Sequence, residues 1–282
     1  MISTLEYQLK DIIMDFNNDF KPNNATKWNQ TGKCVAGKTE FGNDLAHLHE
    51  PCGIYINTLN NIYIADFMNH RIVKWIHDEQ TGKVVAGNGH PGNELNQLNQ
   101  PTSVYVDEKR KRIIICDSKN QRVMAWPLND GKSGKLLIPK IQCTCVTMDQ
   151  YGYLYISEDK DHSVVRWHDE DLSVPIRVAG NGTPGSDNSQ LDCPSYLFVD
   201  KDQTVYVSDV KNKRVMKWIK NAKQGIVITL DNELKKSFPE FKPAGLSVSS
   251  DGSVYVVDCA GHRVIRWKKD ATQGTVIAGG HR

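Results

Sequence analysis

Residues 85–98 read VAGNGHPGNELNQL, and within them Gly87, Gly89 and Gly92 have the G-x-G-x-x-G spacing of a dinucleotide-binding loop. In that chemistry the glycines let the backbone approach a pyrophosphate at the start of a helix. The same spelling returns at Gly180, Gly182 and Gly185, in VAGNGTPGSDNSQL. A phosphate cradle needs the helix. Here Pro91 and then NELNQLNQP follow, without apolar helical periodicity and ending in proline. The earliest version, Gly37-Lys38-Thr39-Glu40-Phe41-Gly42, keeps only the outer glycines. These glycines therefore read as positive-φ turns. No nucleotide or other cofactor is expected, and no helix over residues 92–95.

Two further sets of side chains invite a chemical reading. Carboxylates recur at Asp66, Asp117, Glu158, Asp209 and Asp258, and four of the five are followed five residues later by Arg71, Arg122, Arg214 or Arg263. A short acceptor and a guanidinium across a tight turn make a charge-assisted clamp. In the third copy Glu158 and Ser163 replace both members together. A catalytic site normally breaks the symmetry of a repeat and this set expresses it, so no catalytic residue is assigned. His70, His162 and His262 share one slot in alternate copies, and three histidines can hold a catalytic zinc. A turn one or two strand spacings of about 4.8 Å from a central channel holds such rings too far apart for ligation at about 2.1 Å. They read as surface or turn-stabilising histidines, and no metal is expected.

The elements that must position these residues come from a repeat. Each of the six tryptophans follows a basic or small residue: Lys27-Trp28, Lys74-Trp75, Ala125-Trp126, Arg166-Trp167, Lys217-Trp218 and Arg266-Trp267. Aligned on them, the chain yields five copies of one unit, at 51–75, 101–126, 143–167, 194–218 and 243–267. Each copy reads as strand, tight turn, strand, turn, strand, with a fourth run such as Lys83-Val84-Val85-Ala86-Gly87 after the tryptophan. Four short strands every 40–50 residues, roughly, is the arithmetic of a β-propeller blade. The opening runs, such as GIYI, SVYV and YLFV, are almost wholly apolar, as strands packed on both faces should be.

Composition excludes several classes. The hydrophobic content of 39% is ample for a core. No run approaches the roughly 20 apolar residues that span a bilayer, so no membrane insertion is expected. MISTLEYQLKDIIMDF carries Glu6, Lys10, Asp11 and Asp15, which breaks any signal-peptide apolar region; the compartment stays open. A net charge of +2 predicts no strong pull toward nucleic acid or membrane. The seven cysteines lack C-x-x-C spacing and read as buried or half-buried free thiols.

The stretch D-x-x-N-x-R-V-x-x-W, at Asp66–Trp75, Asp117–Trp126 and Asp209–Trp218, resembles the NHL repeat family, as does the Q-L-x-x-P lead-in at Gln97–Pro101 and Gln190–Pro194. The resemblance covers about residues 26–280 and implies an all-β propeller, six-bladed in the family. Five complete four-stranded blades are expected. Trp28 with Lys33-Cys34-Val35-Ala36-Gly37 would supply half of a sixth, giving an open or truncated ring. Residues 1–25 are expected to form a separate N-terminal segment. Leu5, Leu9, Ile12, Ile13 and Phe16 there have helical spacing and could cover a bare edge. Residues 26–282 would form the propeller, and truncation of a longer protein is the simpler account of the missing half-blade.

Strand parity places the second-to-third turns and the glycine loops at one end of every blade. The resemblance implies binding at that end, near the channel mouth. Gly53, Ser103, Cys145, Tyr196 and Gly245 should lie nearest the mouth. Asn88, His70, Arg71, Lys119, Arg122, His162, Lys213, Arg214, His262 and Arg263 complete the candidate face. The expected function is a non-enzymatic scaffold recognising a protein or peptide there. One alternative is single-stranded RNA binding on the same face, with Lys160 and Lys211 adding charge. Another is a propeller enzyme similar to the amidating lyases or the lactonases.

Overall fold

A computed structural model of the chain describes residues 34–129, 132–168, 174–229 and 240–280. These residues form five four-stranded antiparallel sheets, each with its strands in chain order. The first sheet contains β1 (Pro51–Ile56), β2 (Ile62–Asp66), β3 (Arg71–Trp75) and β4 (Lys83–Ala86). The second contains β5 (Pro101–Asp107), β6 (Arg112–Asp117), β7 (Arg122–Pro127) and β8 (Lys135–Pro139). The third contains β9 (Cys143–Met148), β10 (Tyr153–Glu158), β11 (Ser163–His168) and β12 (Ile176–Ala179). The fourth contains β13 (Pro194–Val199), β14 (Val205–Asp209), β15 (Arg214–Trp218) and β16 (Ile226–Val227), and the fifth β17 (Pro243–Val248), β18 (Val254–Asp258), β19 (Arg263–Trp267) and β20 (Gly274–Gly279). Among the described residues the only helical pieces are 3-10 turns at Phe67–Asn69 and Ser118–Asn120.

The chain divides into two compact units. One holds 34–158 and 166–176, the other 159–165 and 177–280 of the described residues. In the first, Tyr63, Ile72, Val104, Ile113, Ile115, Met124 and Trp126 share one apolar cluster across the first two sheets. In the second, Tyr206, Val215, Val254, Val256, Ile265 and Trp267 do the same across the last two.

The doubly packed strand of each blade is the second, not the first. β2 and β14 are buried at every position, whereas β1 and β13 are mostly half-buried, and Ile54 in β1 is exposed. The first strand is a sheet edge with a ladder on one side only. The second is flanked by strands on both sides, so its IYIAD or VYVSD is shielded throughout, with only the terminal polar residues needing partners.

The tryptophans end the third strands, and Trp75, Trp126, Trp218 and Trp267 are fully buried. Each ring lies on a glycine that opens the fourth strand. A Cβ on Gly82 would stand 2.6 Å from Trp75, and one on Gly274 2.6 Å from Trp267. Gly134 and Gly225 carry Trp126 and Trp218 in the same way. The third blade has Val174 and Pro175 before β12, and its Trp167 is only half-buried.

Among the described residues there are five blades and no half of a sixth. Residues 34–37 form no strand, and Cys34 Sγ instead donates to the carbonyls of Ala36 and Gly37. A β-rich run becomes a strand only where a neighbour supplies the ladder, and none of the described residues pairs with it. Trp28, the boundary at residue 25 and the expected helix over 5–16 lie outside the described residues.

Candidate functional site: the turn clamps and glycine loops

Within each sheet the ladder sets the geometry of one end. Asp66 pairs with both Pro51 and Arg71, and Ile72 with Ala86. The start of the first strand, the Asp-to-Arg turn and the exit of the fourth strand therefore lie together. Gly87 leaves that exit with φ +77°, and a Cβ on it would stand 2.5 Å from the His70 carbonyl oxygen. Gly180 stands in the same relation to His162 O. No helix follows Gly92. The loop closes on itself through an isolated bridge from Pro91 to Leu98, repeated at Phe41–Leu48 and Pro184–Leu191. Leu48, Leu98 and Leu191 anchor these loops in the core.

The carboxylate turns grip the glycine loops. Asp66 Oδ2 accepts from Arg71 Nε and Asn69 Nδ2, both at 2.8 Å, while Oδ1 accepts the His49 N–H at 2.7 Å. Asn69 also donates to Gly42 O at 2.8 Å. Arg71 Nη1 donates to Asn43 O, and Nη2 to Asp44 O and His47 O. The second copy repeats this with Asp117, Asn120 and Arg122 on Gly92, Asn93, Glu94 and Gln97. The fourth does so with Asp209, Asn212 and Arg214 on Gly185, Ser186, Asp187 and Gln190. All guanidinium nitrogens of Arg71, Arg122 and Arg214 are thus engaged inside the protein. Burial pushes the Asp209 carboxyl up from its ordinary value, opposed by the Asp192 N–H, Asn212 and Arg214. A buried carboxylate with charge-assisted partners is structural chemistry.

The copies that depart do so visibly. In the fifth, Gly261 stands where asparagine would, and Arg263 turns both Nε and Nη2 onto Asp258 Oδ2, at 2.8 and 2.6 Å. In the third, Glu158 is buried, and Ser163 Oγ is shut from solvent without a hydrogen bond.

The histidine slot is a left-handed corner, with φ 53° at His70, 46° at His162 and 49° at His262. His70 Nδ1 accepts the Gln100 N–H at 3.1 Å, and His162 Nδ1 accepts the Cys193 N–H at 3.2 Å. Burial holds His70 below its ordinary pKa, against the pull of Asp117 and Asp66. Beside His162 stand Asp192 Oδ1 at 3.4 Å and, 3.4 Å from that oxygen, Lys211 Nζ. Burial raises the Cys193 thiol, opposed by Lys211. Sequence reasoning passed over Asp192 and Cys193. The signal available was their departure from Asn99-Gln100 and His49-Glu50 in the same places.

The remaining candidates scatter in character. A Cβ on Gly53 would lie 2.6 Å from the Ser103 Cα, so this glycine is a close approach of backbones. Ser103 Oγ accepts the Val146 N–H at 3.1 Å and lies 3.6 Å from Cys145 Sγ, and both residues are buried. Tyr196 and Gly245 are half-buried. Asn88 is exposed, its Oδ1 taking the His90 N–H at 3.0 Å. Lys119 is exposed, and Lys213 stands 4.0 Å from Glu240. Of the thiols, Cys116, Cys143 and Cys145 are buried, Cys52, Cys193 and Cys259 half-buried, and Cys34 exposed. At the opposite end, a cleft of about 320 Å³ is lined by Lys74, Ile76, Glu79, Lys83, Val85 and Leu128. Sequence reasoning did not anticipate it. No helix among the described residues is long and apolar enough to cross a membrane.

Residues 242–267 match the family model described as NHL repeat. No curated protein matches the chain. Among solved structures it is similar to one of a nidogen/laminin complex, with TM-score 0.63, 15% identity and coverage of 80% of this chain and 79% of that one. It is similar to virginiamycin B lyase from Staphylococcus aureus at TM-score 0.57 and 13% identity, covering 80% and 69%. It is also similar to a gluconolactonase from Xanthomonas campestris at TM-score 0.61 and 15% identity, covering 82% and 77%. At these identities the likeness is one of fold, shared by binding proteins and enzymes alike. With its repeat unit written five times and folded as five four-stranded blades, the chain has a β-propeller fold, and its last blade matches the NHL repeat.

Proposed function

We propose that the chain is a non-enzymatic binding module that recognises a protein or peptide at the blade end carrying the Asp-x-x-Asn-x-Arg turns and glycine loops. The observation behind this is the internal use of the reactive groups there. Asp66, Asp117 and Asp209 and their arginines hold loop backbones and are buried or nearly so. Solvent instead meets residues that differ from loop to loop: Glu40 in one, His90 at the same place in the next and Thr183 in a third, with Lys38 in the first loop where the other two have Asn88 and Asn181. Variable side chains on loops braced by a rigid scaffold suit recognition. The similarity to a nidogen/laminin complex is in keeping with this reading. Single-stranded RNA is less favoured, because every guanidinium nitrogen of Arg71 and Arg122 already donates to an oxygen of the protein.

The test is peptide display against the whole chain. Selected peptides should bind a K38A/N88A/H90A variant roughly tenfold more weakly, as truncation of an interface hot spot does, and bind a K74A/E79A/K83A variant at the opposite end as they bind the parent. Failure to select any peptide, equal loss in both variants, or single-stranded RNA binding with a steep salt slope would overturn it.

A further inference from the structure

We propose that His162, Asp192 and Cys193 form a binding site for a borderline-soft divalent cation, Zn²⁺ above all. One imidazole nitrogen, one carboxylate oxygen and the thiol sulfur of these three residues lie within 4.8 Å of one another. The His162 Nδ1 to Asp192 Oδ1 distance is 3.4 Å, and two ligands of a tetrahedral zinc at about 2.0–2.1 Å stand about 3.3 Å apart. Asp192 Oδ1 is closed off from solvent, and among the described residues no donor meets it in good hydrogen-bond geometry. Among the described residues its lysine neighbour is Lys211, with Nζ at 3.4 Å on a side chain 62% exposed. An ammonium on a mobile stem holds a place a metal ion would take more strongly, and the lysine can swing into solvent. The ligands are carried on firm backbone. The Asp192 N–H is held by Asp209 Oδ1 at 2.7 Å, and Cys193 sits at a left-handed corner with φ 52°. Ligation through His162 Nδ1 exchanges its bond from the Cys193 N–H for the metal, and the Cys193 proton leaves to solvent as the thiolate forms. The fourth position stays open to water or to a partner's side chain. The donor set of imidazole, thiolate and carboxylate suits zinc over magnesium or calcium. This site is independent of the peptide-binding reading.

The first blade supplies the internal control. His70 occupies the corner that His162 occupies, and Asn99 and Gln100 stand where Asp192 and Cys193 do. The chain should retain one equivalent of Zn²⁺. With Co²⁺ as the probe it should show a near-ultraviolet thiolate-to-cobalt charge-transfer band. C193S should abolish the band, and both C193S and H162Q should weaken Zn²⁺ binding by roughly tenfold or more. H70Q and C34S should change neither readout. K211M should tighten Zn²⁺ binding severalfold by removing the competing ammonium, a gain that a misfolded variant could not mimic. The proposal is overturned if C193S keeps the band, if C34S loses it, if H70Q weakens binding as much as H162Q, or if K211M binds no better than the parent.

Discussion

His70, at the turn of the first sheet, and His162, at the turn of the third, adopt the same left-handed backbone. Each accepts one N–H from the lead-in to the next sheet, Gln100 in one case and Cys193 in the other. Around His70 the repeat is intact. Asp66, Asn69 and Arg71 make seven side-chain hydrogen bonds: four to carbonyls of the 42–47 loop, one that Asp66 accepts from the His49 N–H, and two that Asp66 accepts from Asn69 and Arg71. Around His162 the repeat has drifted: Ser163 stands in the arginine's place, and the lead-in carries Asp192 and Cys193. Where the clamp is complete, its carboxylate, amide and guanidinium all have structural partners. Where it has lapsed, a carboxylate oxygen and a thiol are left facing an imidazole, and this is where chemistry can enter a symmetric scaffold.

That contrast can be broken most forcefully at the intact clamp. R71A leaves the Asp66 carboxylate buried without its cation and should destabilise the protein by about 3–5 kcal/mol in denaturant unfolding. A loss under ~1 kcal/mol would mean the clamp is ornamental. Next is the glycine that passes the corner. G87A meets both a positive φ and the His70 carbonyl, and should cost about 3 kcal/mol. G89A has positive φ but open space around it, and should cost only about 1 kcal/mol. Equal costs would show that the corner does not exclude a side chain.

The histidine corner itself should matter less. H70A orphans the Gln100 N–H and should cost about 1–2 kcal/mol. Burial lowers the folded-state pKa of His70, so the unfolded chain takes up the proton first as pH falls. Stability attributable to His70 is therefore complete above the unfolded value of about 6.5 and is lost as pH falls below it. Unfolding measured from pH 7.5 to 5 should show a shallower acid slope in H70A than in the parent; an unchanged slope removes His70 as its source. Smallest of all, S163A deletes a hydroxyl that has no partner and should lie within about 0.5 kcal/mol of the parent.

Much of this architecture is legible in the chain. The tryptophan-centred repeat foretells five blades. The proline after Gly89 and the absence of apolar periodicity foretell a loop with no helix after Gly92. The Asp-to-Arg spacing of five is visible too, but the arginine's acceptors are not. They are carbonyls 24 to 28 residues earlier in the chain, and carbonyls carry no sequence signature. The same limit hid the pairing of each tryptophan with the glycine that opens the fourth strand. It also explains why the first strand looked like the doubly packed one: apolar content reports burial, not which neighbours supply it.

What the sequence determined by itself is local and periodic: where strands and turns fall, which residues repeat, and which glycines must pass a corner. These follow from short-range sterics and from a pattern written five times. Only the tertiary structure decided that the turn clamps hold the preceding loop, that residues 34–37 stay out of the sheets, and that His162, Asp192 and Cys193 share one corner. Such placements depend on segments about 30 residues apart in the chain that meet only when whole blades have folded. Spacing along the chain carries no record of that meeting.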